Sequence, residues 1–415
     1  VAVLALDSNT VVIDSSVFRQ AGTGIYLVSR GSSISRSLVD TTTNPAWPAI
    51  TLDKLTRFEN TVIRGAAGVG LGVYGTHGIS LLGGRIEGSG GVGLQVTTTG
   101  AGLLAARPIR VVGGSSYPAE LSPSALARIY PAVTDQDSLL GNARDTVVVT
   151  GGILQQFAYP RQALPWRVTG EIIVQYFGIL QAGPGASLAF TSGGAITARN
   201  GGRLVARGTH ASPVLFTAAD TAAGWSGIAL EGAPSLSSYL TNVRIEYASV
   251  LTHYGVAAID SHTLVIDSAV FRQNKNPLVL GSSGSRLSRS RVDTTRFAAA
   301  AVWLGSDAVI ESTLIRGSYG VGLSVNSASV QVLSCEIRGS GGAGMELTAA
   351  VAVHNCNFVD NGGPGISNLS SATANVENDW WGDTAGPAGP SGDGASGPLD
   401  YTPWRTTPYV LPYVP

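Results

Sequence analysis

The sequence contains little charge and very few cysteines. Asp, Glu, Lys and Arg make up only 13% of 415 residues, and 26 basic against 27 acidic residues leave a net charge of -1. Near-neutrality argues against a nucleic-acid partner, because such a protein must neutralise several phosphates with clustered Lys and Arg. Two cysteines are too few for a disulfide scaffold. No apolar run approaches the roughly 18 residues of a transmembrane helix, so no membrane span is predicted.

Glycine and small polar residues are abundant instead. The chain has 54 Gly, and hydrophobic residues reach 44%, which indicates a folded chain and not a disordered one. Few charges, few cysteines and many Gly, Ser and Thr residues favour an exported bacterial protein, extracellular or on the cell surface. The chain begins at Val1 without Met or a signal segment. We therefore expect a processed product or an excerpt of something longer.

Long blocks of sequence occur twice and in the same order. Residues 6–20, LDSNTVVIDSSVFRQ, return at 259–273 as IDSHTLVIDSAVFRQ. Residues 59–73, ENTVIRGAAGVGLGV, return at 311–325 as ESTLIRGSYGVGLSV. Matches of this length predict two copies of one module, the first of them incomplete at its start.

A shorter repeat runs inside each copy. The last apolar residues before successive turns are spaced 21 to 26 residues apart. These residues are Phe18, Val39, Ile63 and Ile86 in copy one, and Ile245, Phe271, Val292, Ile315, Ile337 and Phe358 in copy two. Each unit contains short alternating strands with a Gly or Asn turn between them, and alternation indicates one buried and one exposed face. A unit of about 22 residues must stack on its neighbours to bury that face, which predicts an all-β solenoid.

The residue after each of these apolar positions forms a charged column. We expect neighbours in it to lie about 4.8 Å apart on adjacent parallel strands. Opposite charges alternate in both copies until Arg338 follows Arg316, so the sequence predicts a structural charge ladder. Its members are Arg19, Asp40, Arg64 and Glu87 in copy one, and Glu246, Arg272, Asp293 and Arg316 in copy two.

Two segments carry a family resemblance. Residues 166–230, starting WRVTGEIIVQYFGIL, and 378–404, starting NDWWGDTAGPAGP, resemble segments of bacterial right-handed parallel β-helix repeat proteins of the pectate-lyase-like β-solenoid superfamily. The resemblance implies a right-handed parallel β-helix, and about 22–24 residues per coil give roughly 16–18 coils. This class is similar in shape to polysaccharide lyases and hydrolases, tail spikes, adhesins and structural proteins, so it implies no particular activity.

Four segments follow from these patterns. They are the truncated copy one at 1–100, an irregular junction at 101–165 that continues the coil, copy two at 166–377, and a capping segment rich in Gly, Pro and Trp at 378–415. The junction includes AELSPSALARIYP, which is compatible with a short helix.

No catalytic or cofactor-binding residue is assigned in the coils. Lyases of the resembling class place acidic calcium ligands on neighbouring coils, and glycoside hydrolases need a pair of carboxyl groups. Neither arrangement is present in the coil strands, which favours a structural role for their carboxylates. The Gly-Thr-His-Gly at 75–78 is similar to a hydrolase motif, but copy two lacks an equivalent His, which favours an ordinary turn histidine.

The C-terminal segment combines aspartates with Trp380 and Trp381. Carboxylates in a loop could hold Ca²⁺, or they could form turns in a segment whose aromatics cover the last coil, and the two roles can coexist. The aspartates are Asp379, Asp383, Asp393 and Asp400.

Cys335 and Cys356 take the same position one coil apart. Stacking brings their Cα atoms to about 4.8 Å, within the range of a disulfide, whereas parallel side chains in register suit a stack of thiols. Both alternatives stay open. Some aromatic residues could stack on sugar rings or pack locally, namely Tyr26, Tyr74, Trp303 and Tyr319.

The predicted function is that of a non-catalytic extracellular structural or adhesive protein, within a fibre or a larger surface protein. Val1 aligns with Tyr254 inside the module, so the first coil should expose a parallel edge that pairs with other copies or further repeat modules. Polysaccharide is a second expected partner. The alternative is a carbohydrate-active lyase or hydrolase with its site in 101–165. The groups suspected in that case are Glu120, Asp135, Asp137, Arg144 and Asp145.

Overall fold

The computed structural model describes residues 2–6, 8–75, 78–97, 103–129, 139–155, 164–232, 237–249, 254–275, 278–293, 295 and 299–412. Val1, His77, Asp135 and Asp137 lie outside these ranges. The chain divides into two compact units, Val1–Ile172 and Ile173–Pro415. Both are built from short parallel strands with almost no helix, so the predicted all-β parallel β-helix is confirmed.

The first unit contains two parallel ladders, in which strands from successive coils pair in register. One ladder comprises Val3–Ala5, Ile25–Leu27, Ile50–Leu52, Leu71–Val73, Leu94–Val96, Ala119–Leu121, Val147–Val149 and Trp166–Val168. The other comprises Val12–Asp14, Val17–Ala21, Ser33–Ser35, Leu38–Thr42, Arg57–Ala66, Ile79–Glu87 and Leu103–Val112. Two further strands are Gly152–Leu154 and Glu171–Val174, the latter at the division between the units.

The second unit contains three ladders. The first ladder comprises Ser187–Phe190, Val214–Ala218, Val243–Glu246, Val270–Arg272, Arg291–Asp293, Leu314–Arg316, Glu336–Arg338 and Asn357–Val359. The second comprises Ala195–Ala198, Ile228–Leu230, Val256–Ala258, Leu278–Leu280, Ala300–Leu304, Val321–Val325, Met345–Leu347, Ile366–Asn368 and Ala395–Ser396. The third comprises Ile179–Ala182, Arg203–Arg207, Ser238–Thr241, Leu264–Asp267, Arg286–Ser288, Val309–Glu311, Gln331–Leu333 and Ala352–His354. Ala374–Asn375 pairs with Leu399–Asp400, and Gly386–Ala388 forms a 3₁₀ turn.

The core of the second unit is a stack of inward side chains contributed by every coil. Ile245, Phe271, Val292, Ile315 and Ile337 face one another in register along the first ladder. All five are buried, and full burial of such a side chain contributes about 1.5–3 kcal/mol. The 21–26-residue period therefore marks one core position in successive coils.

Corners follow the strands of the first ladder. Gly317 and Gly339, directly after Arg316 and Arg338, have φ of +64° and +61°. Glycine adopts this left-handed conformation without the steric cost of a Cβ, which lets the chain turn into the next strand. Tyr247, Gln273 and Asp360 take the same left-handed conformation after other strands of this ladder, so glycine marks some of its corners and not all.

The described residues include one α-helix, Pro123–Ile129. It lies inside AELSPSALARIYP, the part of the junction that is compatible with a short helix. Ser122 accepts the backbone N–H of Ala125 at 3.3 Å, and Pro123 occupies the first helical turn, where a missing N–H costs nothing. The turns number about 15, fewer than the predicted 16–18, because several coils are longer than 22–24 residues: Val205 pairs with Tyr239, and Ile228 pairs with Val256. No helix in the described part of the chain has the length and hydrophobicity needed to cross a bilayer.

Candidate functional site

The outer face of the first ladder in the second unit carries two parallel columns of side chains, here called the charged strand face. One column contains Arg244, Val270, Arg291, Leu314 and Glu336 in register. The other contains Glu246, Arg272, Asp293, Arg316 and Arg338. Residues two apart on a strand lie on the same face, so each strand contributes one residue to each column.

Ion pairs on this face run within coils as well as between them. Arg244 pairs with Glu246 of its own strand at 2.7 Å. Arg291 pairs with Asp293 of its own strand at 2.6 Å, and Arg316 reaches the same carboxylate from the next coil at 2.6 Å. The Asp293 side chain is only 7% exposed, so this three-residue cluster is shielded from solvent more than the others.

Arg272 is the exception on this face. It lies in register between Glu246 and Asp293, as the column predicted, but both carboxylates bind arginines of their own strands. Within the described residues, no carboxylate lies within 4.0 Å of its guanidinium group. The charged column predicted from the sequence does not contain these competing arginines. They belong to the second column, two residues earlier on each strand, and the sequence pattern at those positions identifies them.

The corresponding column of the first unit pairs more evenly. Arg19 lies 4.0 Å from Asp40, and Arg64 lies 3.0 Å from Glu87, which also binds Arg85. The Arg19–Asp40 and Arg64–Glu87 pairs join neighbouring coils, and their arginines are exposed, so each pair contributes roughly 0–1 kcal/mol. The geometry is that of a register-setting ladder.

A groove of about 550 Å³ opens on the charged strand face. The turn at 209–213 forms one wall, and strand residues from four neighbouring coils form the floor. Its lining comprises Thr209, His210, Pro213, Asn242, Val243, Arg244, Ser268, Val270, Arg272, Gln273, Arg291, Asp293 and Arg316. This volume falls in the range of ligand-binding clefts.

Both cysteines are free and buried. The backbone N–H of Cys335 points to Sγ of Cys356 at 3.3 Å, and the N–H of Cys356 donates to Oδ1 of Asp379 at 2.7 Å. Burial raises the pKa of the Cys356 thiol and of the Asp379 carboxyl well above their ordinary values. Sequence reasoning placed Asp379 in the cap, yet it continues the position of the two cysteines by one coil.

The other aspartates of the C-terminal segment have local partners. Asp383 accepts the backbone N–H groups of Ala385 and Ser391 at 2.8 and 3.1 Å. Asp393 accepts the side-chain amide of Asn361 at 2.6 Å, and burial raises the pKa of its carboxyl. Asp400 lies on the strand that pairs with Ala374–Asn375. In the described ranges no group of three or more His, Cys, Asp and Glu is placed to hold a metal, and calcium binding here stays a prediction.

The suspected catalytic groups that the structure describes in the irregular segment each make a different structural contact. Asp145 accepts backbone N–H groups of Gly141 and Asn142 at 3.2 and 2.9 Å, which holds a turn. Arg144 donates to the Tyr117 hydroxyl at 2.9 Å and lies over its ring. Glu120 accepts the amide of Gln95 at 3.4 Å. Asp135 and Asp137 fall outside the described residues.

Three of the four aromatic candidates contact neighbouring residues of the coils, and the fourth, Tyr319, is largely exposed to solvent. Tyr74 and Trp303 lie over glycines: a Cβ on Gly72 would come within 2.7 Å of the first ring, and one on Gly305 within 2.9 Å of the second. Tyr26 makes an edge contact with Trp47 at 5.8 Å, whereas Tyr319 is 71% exposed.

Comparison with known proteins supports the architecture and leaves the activity open. Residues 226–380 match the family model described as the right-handed beta helix region. No curated protein and no solved structure matches the chain significantly. The matched residues contain the whole charged strand face, so this face is built on right-handed β-helix coils.

Proposed function

We propose that this chain is a non-catalytic structural or adhesive β-helix protein that acts outside the cell, within a fibre or a larger surface protein. The supporting observation is that acidic side chains on the strand faces are tied to arginines, many of them one coil away. Such cross-coil pairs are Asp14–Arg36, Glu87–Arg64, Asp267–Arg289, Asp293–Arg316 and Glu311–Arg286. Acidic groups used in this way fix the register of the stack.

The Asp14 carboxyl in this set differs from the acid of an enzyme that cleaves glycosidic bonds. A general acid needs a raised pKa so that it holds its proton near neutral pH. Hydrogen bonding to Arg36 instead lowers the pKa of the exposed Asp14 carboxyl. Burial does raise the pKa of Asp379 and of Asp393, but Asp379 is inaccessible to a polymeric substrate, and Asp393 is buried and held by the side-chain amide of Asn361. These carboxyl groups therefore favour a structural or adhesive role over a catalytic one.

Product formation on polysaccharides tests this proposal. The protein would be incubated with neutral and acidic polysaccharides, and new reducing ends and unsaturated sugar products would be measured over time. We expect neither above the background of heat-denatured protein. Cleavage that is lost in Glu120→Gln, or in Asp135→Asn with Asp137→Asn, would establish the enzymatic alternative instead. Electron microscopy of native material would show whether the chains form fibres.

A further inference from the structure

The groove on the charged strand face carries an excess of positive charge. Four arginines line it, Arg244, Arg272, Arg291 and Arg316, and they face the carboxylates of Asp293 and of Glu246 just outside the lining. Guanidinium groups stay protonated at all accessible pH values. Clefts lined by one sign of charge focus the field and concentrate ligands of opposite charge.

The excess arises from two positions that differ between the copies: Arg291 stands where copy one has Leu38, and Arg338 stands where it has Glu87, the partner of Arg64. Arg291 aligns with Leu38 of copy one, where Asp40 has no arginine on its own strand and lies 4.0 Å from Arg19 of the coil before. In copy two Arg291 and Arg316 both bind the equivalent carboxylate, Asp293. Arg272, the counterpart of Arg19, is thereby left with an exposed guanidinium group.

The fold does not require this charge. Leu38 occupies the same ladder position between Val17 and Val62 and pairs in the same register. An arginine at 291 is therefore compatible with the coil without being needed to build it. A charge that the scaffold does not need, in the lining of a groove, is a candidate for ligand binding.

The chemistry of the lining indicates the ligand. Arginine can bind two oxygens of one carboxylate, or two oxygens of one tetrahedral sulfate, through two parallel hydrogen bonds. Thr209, Asn242 and Gln273 add neutral polar groups beside the arginines, which suits a hydroxylated chain. Proteins that hold single-stranded nucleic acid stack its bases on aromatic rings, and none is among the described residues that line this groove.

We infer that this groove binds an acidic polysaccharide through its carboxylate or sulfate groups, with Arg272 as the principal contact and Arg291 as the residue that keeps it available. The inference rests on the adhesive form of the proposed function and supplies its ligand class. An extended polymer can lie across the four coils, with anionic groups meeting arginines on successive strands.

Binding to immobilised polymers tests the inference. The full chain would be passed over heparin, hyaluronan, neutral dextran and single-stranded DNA at about 0.15 M salt. We expect binding to heparin, hyaluronan or both, no binding to dextran, and affinity that falls with salt because the contacts are ionic. Binding to heparin alone assigns sulfate as the recognised group, and binding to hyaluronan alone assigns carboxylate.

Two variants locate the contact. Arg272→Gln should weaken binding at least about tenfold, the factor that corresponds to losing one charged hydrogen bond. Arg291→Leu restores the copy-one residue at this position and should weaken binding as well, because Asp293 then keeps only Arg316 and can also accept Arg272. Arg19→Gln removes the counterpart of Arg272 outside the groove and should leave the affinity unchanged. Circular dichroism would verify that each variant is folded.

The results separate the two proposals. Three results would overturn this inference and leave the non-catalytic proposal standing. They are no binding to either acidic polymer, equal affinities for Arg272→Gln and Arg19→Gln, and tighter binding to DNA than to the glycans. Binding followed by release of cleaved product would overturn the non-catalytic proposal and leave the groove as the binding site.

Discussion

The carboxylate of Asp293 lies 2.6 Å from Nε of Arg316, a residue of the following coil. The same carboxylate accepts Arg291 from its own strand, so one buried acid joins two coils and two columns of the charged strand face. Hydrogen bonds between charged partners are about twice as strong as neutral ones, and shielding from solvent preserves that strength. This contact is the strongest expected link in the ladder.

Asp293→Asn should lower the free energy of unfolding by about 1–3 kcal/mol, because two arginines lose a charged acceptor. Asp360 provides the matched control. It is 78% exposed and lies 3.9 Å from Arg338, so Asp360→Asn should change stability by less than about 0.5 kcal/mol. Urea unfolding followed by circular dichroism measures both. Equal effects of the two substitutions would contradict a special role for Asp293.

The register of this face could be predicted from the sequence, and its pairing could not. A repeated apolar residue followed by a charge places Arg272 between Glu246 and Asp293, where the structure has it. The choice of partner depends on side-chain reach across a second column, which a single column does not contain. The groove also depends on the turn at 209–213, whose path no repeat specifies.

The stacked cysteines act as hydrogen-bonding groups in a core position. Ser290 plays the same part earlier in the stack, where its hydroxyl accepts the N–H of Ala269 at 3.1 Å. Cys356→Ser should therefore keep stability within about 1 kcal/mol, whereas Cys356→Ala leaves the N–H of Cys335 without its acceptor and should cost about 1–3 kcal/mol.

Unfolding of the two Cys356 variants under the same conditions gives this comparison. Thiol titration of the native protein adds an independent check, because burial and a raised pKa of the Cys356 thiol should suppress its reaction until the protein unfolds. Rapid labelling of the folded protein would contradict the buried stack.

Asp379 occupies a core position that composition alone does not identify. The Gly, Pro and Trp content of 378–415 indicates a cap, and a carboxylate in such a loop suggests a turn or a metal ligand. The structure instead places Asp379 where a thiol stands in the preceding coils, with Oδ1 accepting the N–H of Cys356. A change of residue type at one position of a short repeat cannot be recognised without the register.

The Asp379 carboxyl should make the protein less stable as pH rises. Burial raises its pKa in the folded state, so the folded protein keeps a proton that the unfolded chain loses above about pH 3.9. Its contribution is complete below that pH and declines, by up to about 1.4 kcal/mol per pH unit, until the folded pKa is passed. Asp379→Asn should remove this decline while keeping the acceptor for Cys356.

Unfolding midpoints of the parent and of Asp379→Asn between pH 3.5 and 7.5 measure the difference. The exposed Asp360→Asn serves again as control and should follow the parent. Parallel pH profiles of the parent and Asp379→Asn would show that the buried carboxyl is not protonated in the fold.

His262 should act in the opposite direction. Its Nδ1 lies 3.5 Å from the carbonyl oxygen of Glu231, which can only accept, so Nδ1 carries the proton and Nε2 accepts the Ser238 hydroxyl at 2.8 Å. Oγ of Ser238 in turn accepts the N–H of Leu204. Burial lowers the pKa of His262, so below about pH 6.5 the unfolded chain takes up a proton that the folded protein refuses. Stability from this group is therefore complete above that pH and is lost as pH falls toward the folded pKa.

His262→Asn, which places the copy-one residue Asn9 at this position, should flatten the acid limb of the unfolding profile between pH 4.5 and 7. It should also lower stability at pH 7, because a smaller side chain leaves space in the core. His210→Asn changes an exposed histidine and should retain the acid limb of the parent. An acid limb that survives in His262→Asn would assign the loss of stability to another group, and amide exchange at Leu204 would then show whether this hydrogen-bonded chain opens first.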